Sequence, residues 1–551
     1  MSQQQVKSVA NRVAYGCSPD LTAIDFADEA NRIPLLEGWG KHRMPITARN
    51  DSANIYFQQG INMYYGFHII EALASFEKAL TFDSAFAMGH WGKALAYGPN
   101  INDLGYSASP EALVAVQKAK AYSANCTPIE KALVGAMEVR YTSDTTQSRE
   151  QLNQAYADAM KQVYTTYPKH SDVAALYADA LMVQHPWDLY DRHYNPKPWT
   201  PQIVQVLEKL VKEFPNHPGA SHYYIHAVEG SKQPEKALAV ANRLGGMMPG
   251  LAHLVHMPSH IYIRSGYYNK GVEVNDAAVK GYYTYLSQYP VTANNAFLYL
   301  MHNRHMQATC AAMDGQYNAA MKYANQTRES VDSGFLNAGG YLGMYGQYMY
   351  STPLITQIRF GKWQDILQAP ELPQAWVYAS ALQHFAKAMA YARLQQLDKA
   401  NTERQKMKDS INSAQLQEHP KAFNPGAAVV EVADKVLLGV MAEEKGDVTL
   451  AITHFREAVN LEDGMLYNEP KDWVLPVRHY LGSALLKAKR YADAEKVYKE
   501  DLKINPNNAW ALTGLTVALQ KQGKSKEALA VQQKTKKALQ RSDVKMVASV
   551  Y

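Results

Sequence analysis

Several stretches of this 551-residue chain repeat one ladder of small and aromatic residues, and that ladder constrains the fold more than any other feature. Gly60, Ala72, Phe76 and Ala79 precede Asp83-Ser84, and Gly439, Ala451, Phe455 and Ala458 precede Asp463. Gly482, Ala494 and Tyr498 precede Pro506, with Asp501 where the last small residue would stand, and a fourth copy continues at Ala528. The offsets of 12 and 4 recur in the first three copies, and the further offset of 3 in two of them. Offsets that recur in separate stretches mark an internal repeat. One such repeat cannot bury its apolar faces alone, so the ladder predicts stacked helix pairs.

The ladder resembles the tetratricopeptide repeat (TPR), with small residues at positions 8, 20 and 27 and an aromatic at 24. On the same ruler, Ala237, Ala241 and Pro249 fall at positions 20, 24 and 32 of a repeat starting at Pro218. The next starts at Ala252, with Ser259, Gly271 and Ala278 at the small positions. Another starts near Met301, where Ala308 takes position 8, Gly315 the turn and Ala320 position 20. These two starts are 49 residues apart, which implies an insertion around 282–295. A further repeat is readable around Ala388, Tyr391 and Ala400, and the Gly- and Tyr-rich segment 334–353 is the least regular. The expected fold is all-α, a TPR-like helical-repeat solenoid forming a superhelix of antiparallel helix pairs. The expected organisation is an N-terminal extension over 1–45, a central array over 46–345 and an irregular helical connection over 346–424. C-terminal repeats over 425–541 and a tail over 542–551 complete it.

Composition narrows the function classes. No uncharged apolar run approaches the roughly 18–20 residues of a membrane-spanning helix, and 47% hydrophobic content argues against disorder. Lys+Arg 56 against Asp+Glu 51 gives +5, with no basic block carrying interleaved aromatics, so no nucleic-acid partner is expected. Cys17, Cys126 and Cys310 are too far apart for a metal knuckle and odd in number. Met1-Ser2-Gln3-Gln4-Gln5 has no apolar core of a signal, so the chain as given is expected to be cytoplasmic, and periplasmic if a signal had been removed. GxxxxGK[ST], GxSxG and HExxH are absent, which leaves phosphate-loop, serine-hydrolase and zincin readings without support.

Histidine is distributed unevenly. Eight of the 18 lie between His217 and His305, where uniform scatter would put about three. In the TPR family, positions 2, 5, 9 and 12 of the first helix face the concave groove. His222, His226 and Glu229 take positions 5, 9 and 12 of one repeat; His253, His256 and His260 take 2, 5 and 9 of the next; His302 and His305 take 2 and 5 of the third. Helix geometry agrees, because spacings of three, four and seven keep side chains within one stripe about 60° wide. Pro258 is expected to kink its helix or start it late, so that His253 and His256 approach from a preceding turn.

A lone histidine on a helix is usually a packing residue; seven on one stripe point to a metal centre. With no cysteine among them, one or two transition-metal ions are expected, copper first, then iron, then zinc. Glu229 is the expected ligand, orienting partner or general base. Arg264 at position 13, Thr309 at position 9 and Trp91 at the start of the array are the expected substrate contacts. His185-Pro186-Trp187-Asp188 reads as turn and packing, and His384 and His479 as packing.

His217-Pro218-Gly219-Ala220-Ser221-His222-Tyr223-Tyr224-Ile225-His226-Ala227-Val228-Glu229, with His253-Leu254-Val255-His256-Met257-Pro258-Ser259-His260-Ile261-Tyr262, resembles a group of bacterial TPR proteins. Gly92–Asn102 and His302-Asn303 carry the same resemblance, which covers roughly 50–325. It implies the repeat fold and a shared site for the histidines, and names no reaction. It also implies an asparagine–histidine pair where this chain has Phe67-His68-Ile69. The expected function is a copper-dependent oxidase or oxygenase acting on a small molecule or peptide, with an iron or zinc enzyme next. The alternative is a non-enzymatic scaffold gripping a peptide in the same groove, with a protein partner on the C-terminal repeats.

Overall fold

The computed structural model describes residues 21, 24–102, 106, 108–291, 297–418 and 423–551. Cys17 with the rest of 1–20, residues 22 and 23, and 292–295 at the end of the expected insertion lie outside them. Among the described residues the chain is all-helical, and the β-structure they contain is one isolated bridge between Tyr190 and Pro196. It divides into two compact units. The first comprises Met1–Asp191, Asn195–Ile261 and Ala277–Tyr299; the second comprises Arg192–Tyr194, Tyr262–Asp276 and Leu300–Tyr551.

In the first unit, α1 (Asp51–Tyr65) pairs with α2 (Ile69–Phe82), and α3 (Ala87–Ala96) follows. Asn50 caps α1 by accepting the Ser52 and Ala53 N–H groups. The Phe76 ring lies 2.7 Å from where a Cβ on Gly60 would stand, and Gly92 on α3 meets the same ring. The aromatic of one pair is therefore wedged between small residues of its own first helix and the next, where added bulk would displace a buried ring. Residues 33–47 run along α1, held where Leu36 N–H donates to Gln59 and Met44 N–H donates to Gln58.

Two helices that carry the site begin alike. α4 (Ser171–Val183) follows Tyr167-Pro168-Lys169-His170, and α5 (Pro218–Glu229) follows Phe214-Pro215-Asn216-His217. In each, the histidine caps the helix: the N–H of Val173 donates to His170 Nδ1 at 3.4 Å and that of Ala220 to His217 Nδ1 at 3.1 Å. Beyond α5, the expected kink at Pro258 is a break. Proline has no N–H to continue the ladder, so α6 (Ala252–His256) ends before Met257 and α7 (Pro258–Arg264) begins after it.

In the second unit, α8 (Asn303–Met313) follows a π-helical turn, Phe297–His302, and α9 (Thr352–Arg359) follows a regular helix, Gly340–Tyr350, in the segment that reads as least regular. The C-terminal pairs are α10 (Gly426–Glu444) with α11 (Val448–Asp463), α12 (Val477–Lys487) with α13 (Tyr491–Ile504), and α14 (Ala509–Lys521) with α15 (Ser525–Ala538). The ladder is used here as in the first unit. Phe455 lies against Gly439, and Tyr498 is wedged between Gly482 and Gly514. The last residues pack back onto these helices: the Ser549 hydroxyl donates to the His479 carbonyl at 2.8 Å and sits 2.8 Å from the Tyr498 hydroxyl.

Candidate metal centre

All twelve residues of α5 are buried, including His222, His226 and Glu229. His253, His256 and His260 are buried beside them, none more than 2% exposed. Polar groups removed from water on this scale must find partners inside the protein.

Those partners set the protonation of the rings. His222 Nδ1–H donates to the Tyr65 carbonyl oxygen at 2.6 Å. His226 Nδ1–H donates to Glu229 Oε1 at 2.8 Å, and His260 Nδ1–H donates to Glu229 Oε2 at 2.5 Å. A neutral imidazole with its proton on Nδ1 carries its lone pair on Nε2. His222 Nε2 and His253 Nε2 lie 3.1 Å apart, and His256 Nε2 and His260 Nε2 lie 2.6 Å apart. Each of these pairs is close enough to share one proton in an imidazole–imidazole hydrogen bond. Ligand atoms of His222, His226 and His253 all fall within 4.8 Å of one another, and His226 Nε2 and His253 Nδ1 have no hydrogen-bond partner among the described residues.

Burial keeps His222, His226 and His253 neutral. Burial pushes the His222 and His253 imidazoles well below their ordinary value, and neighbouring histidines push the same way. Burial also lowers His226, against the pull of Glu229. Burial alone would raise Glu229, but His260 and His226 hold its carboxyl below the usual carboxylate range. Neutral imidazoles oriented by an ionised carboxylate are the protonation state that a cation requires of its ligands.

Two aromatic residues with left-handed backbone wall the cluster. Phe67, at φ 57°, places its ring 4.4 Å from His222 and nearly parallel to His226 and His253, at 6.0 and 5.7 Å. Trp187, at φ 58°, meets His226 edge-on at 6.1 Å. Bulky residues rarely occupy this region, at a cost of about 1–3 kcal/mol each, and such strain concentrates at functional sites.

A second group in the same unit has different chemistry. Asp172 accepts from His42 Nε2 at 2.7 Å and from the Tyr65 hydroxyl at 2.9 Å, and lies 3.4 Å from His217 Nε2. The His217 Nδ1 lone pair is already used in capping α5, so its Nε2 carries the proton and faces the carboxylate. Burial would raise Asp172, yet His217 and His42 hold it well below the carboxylate range. Its carboxylate ties His42, Tyr65 and His217 together, and ligand atoms of His42, Asp172 and His217 lie within 4.8 Å of one another. The signal of this group in the sequence is the shared aromatic-Pro-x-His start of α4 and α5.

Of the residues expected from the sequence, the first unit brings together five histidines and Glu229. His302, His305, Arg264 and Thr309 belong to the second unit. There His302 Nε2 lies 3.7 Å from Glu469, and the Arg264 guanidinium sits over the Tyr194 ring at 4.8 Å and the Tyr467 ring at 5.5 Å. The Thr309 hydroxyl donates to the His305 carbonyl at 2.9 Å. Trp91 is 1% exposed in α3, and no ring contact joins it to the histidines among the described residues. The Tyr65 carbonyl and the wall formed by Phe67 and Trp187 have no counterpart in the sequence-based list.

Comparison with known proteins finds repeat sequence at the C-terminal end. The Tetratricopeptide repeat family matches residues 485–549. No curated protein matches the chain. Among solved structures, a human IFIT1 dimer with m7Gppp-AAAA is 15% identical at a TM-score of 0.32, over 98% of this chain and 100% of that one. Yeast Tom70 is 11% identical at 0.30, over 88% and 92%, and Ypp1 is 10% identical at 0.43, over 88% and 78%. At these values nothing about function passes to this chain. With its ladder, its helix pairs and the matched C-terminal residues, the chain is a TPR-fold helical-repeat protein. Among the described residues, no helix is long and apolar enough to cross a membrane.

Proposed function

We propose that this TPR-fold protein holds a transition-metal ion on His222, His226 and His253, with His256 and His260 as a neighbouring pair for a second ion. The observation that carries the reading is the orientation of the rings: the Tyr65 carbonyl and Glu229 occupy Nδ1 of His222, His226 and His260, which turns their Nε2 lone pairs inward. Both Glu229 oxygens accept from imidazole N–H groups, so its role is to orient His226 and His260. An all-imidazole donor set without thiolate suits copper first, then iron and zinc. A copper centre would serve oxidation or oxygenation of a small molecule or peptide, and a zinc centre hydrolysis. The competing reading is a non-enzymatic groove for a peptide or partner protein.

Elemental analysis of the purified, untagged protein by plasma mass spectrometry separates the two, with His226→Ala/His256→Ala alongside. One or two equivalents of copper, iron or zinc are expected in the parent and almost none in the double variant. Absence of stoichiometric metal after reconstitution with each ion would overturn the metal reading and leave the peptide groove.

A further inference from the structure

The positive charge of this chain is concentrated in one segment. Residues 521–545 hold eight basic side chains against Glu527 and Asp543, a net of +6. The whole chain, with Lys+Arg 56 and Asp+Glu 51, carries +5, so the rest of it sums to −1. The second helices of the three C-terminal pairs repeat the contrast. α11 carries −2 (Arg456 against Glu457, Glu462 and Asp463), α13 −1 (three lysines against four acids) and α15 +3 (four lysines against Glu527). A polar outer face keeps the end of a repeat array soluble, but mixed signs do that without a field of one sign.

Ala528 and Thr535 are buried in α15 and mark the face turned to α14. At about 100° per residue, Lys526, Gln533 and Lys537 fall on the opposite side, with Leu529 and Lys536 on one flank and Lys534 on the other. All six are exposed. Glu527, the acid of this helix, lies 3.9 Å from Lys499 of α13, and Asp543 accepts from the N–H groups of Tyr317 and Asn318. Lys526, Lys534, Lys536, Lys537, Arg541 and Lys545 enter no ion pair among the described residues. A second, independent observation falls on the same segment. Among the described residues, the most exposed large hydrophobic side chains are Val547 at 65% and Leu529 at 58%. Leu529 stands amid the lysines of α15, and Val547 follows Lys545 by two residues.

We propose that the α15 face docks this protein onto an anionic lipid surface. The ammonium groups pair with lipid phosphates and carboxylates while Leu529 and Val547 enter the headgroup layer. Each basic residue near such a surface favours binding about fivefold, so several together hold the protein there without a spanning helix. Nucleic acid fits less well, because residues 521–545 contain no aromatic side chain on which a base could stack. An acidic peptide fits less well, because the face is a ridge exposed on both flanks rather than a groove. The proposal is independent of the metal reading.

The test is co-sedimentation of the full chain with sucrose-loaded vesicles of about three parts phosphatidylcholine to one of phosphatidylserine, against phosphatidylcholine alone. Binding is expected on the anionic vesicles and at least about tenfold weaker on the neutral ones. It should be lost as salt rises from about 0.1 M to about 0.5 M, which cuts the screening length to about half. Lys534→Gln/Lys537→Gln should weaken binding about 25-fold. The same change at Lys161 and Lys209, exposed lysines of the first unit, should leave it unchanged. Both variants alter exposed side chains, so their thermal unfolding should match the parent. Equal binding to the two kinds of vesicle, or equal effects of the two lysine pairs, would overturn the proposal. So would tighter binding to polyglutamate or to duplex DNA than to the anionic vesicles, which would give the face to an acidic protein or to nucleic acid.

Discussion

The first-unit helix α5 and the C-terminal helix α14 are both first helices of their pairs and both largely buried, yet they meet that burial with opposite chemistry. α14 turns Trp510, Leu512, Leu515 and Leu519 inward, and its buried Thr513 and Thr516 hydroxyls donate to carbonyls of their own helix. Its outside polar partners are few: the Trp510 indole N–H donates to the Ala312 carbonyl at 3.1 Å, and the Thr516 hydroxyl lies 3.2 Å from that of Thr535. α5 buries His222, His226 and Glu229, and the partners of these groups include the Tyr65 carbonyl, His253 and His260, all on other segments. A repeat needs an apolar face and small contact residues; it does not need imidazoles there. That excess of buried polarity, bordered by two strained aromatics, sets the candidate site on α5 apart from the packing of α14.

The largest expected break in this comparison is at Glu229. Glu229→Ala leaves two buried imidazole N–H groups without an acceptor and should cost about 3–5 kcal/mol in urea unfolding. A loss under about 1 kcal/mol would mean that the carboxylate is not what holds His226 and His260.

Acidification gives the next largest effect, at His305 on α8. Its folded-state value, pushed down to about 3 by burial, lies below the ordinary histidine value of 6.5. The folded protein therefore binds fewer protons than the unfolded chain. The stability from the neutral ring is present above pH 6.5 and is lost as pH falls toward 3. Linkage puts the loss from His305 between pH 7.5 and pH 5 at about 2 kcal/mol. In His305→Gln, the drop over that range should be smaller by that amount in denaturant titrations at the two pH values. Equal slopes would show that His305 is hydrated in the folded protein.

The smallest effect is expected in α14. Thr513→Val keeps the shape and removes a hydroxyl that serves only its own helix, so thermal unfolding should place the variant within about 1 kcal/mol of the parent. A larger loss would mean that the Thr513 hydroxyl serves more than its own helix, and the contrast with α5 would weaken.

Much of this was legible in the residues. Gly60 with Phe76 and Gly482 with Tyr498 announce helix pairs because a ring needs a missing side chain beside it, a local steric rule. The five histidines of the first unit were legible for a related reason, since spacings of three, four and seven set them along one stripe of the helices that carry them. Other features carry no residue-type signal. The acceptor that turns His222 is a backbone carbonyl 157 residues away. His479, which reads as packing, stands between Arg359 and Asp501. His302 and His305 continue the stripe by spacing but belong to the second unit, because the division falls between Ile261 and Tyr262, inside α7.

The sequence by itself determined the helix period, the places where helices touch and the gathering of imidazoles on one stripe, because each depends on spacing along a single segment. Which nitrogen of each ring keeps its lone pair, which buried charges find a counter-charge, and which histidines share a unit were decided only by the tertiary structure. Those outcomes depend on hydrogen-bond partners and burial contributed by segments far apart in the chain.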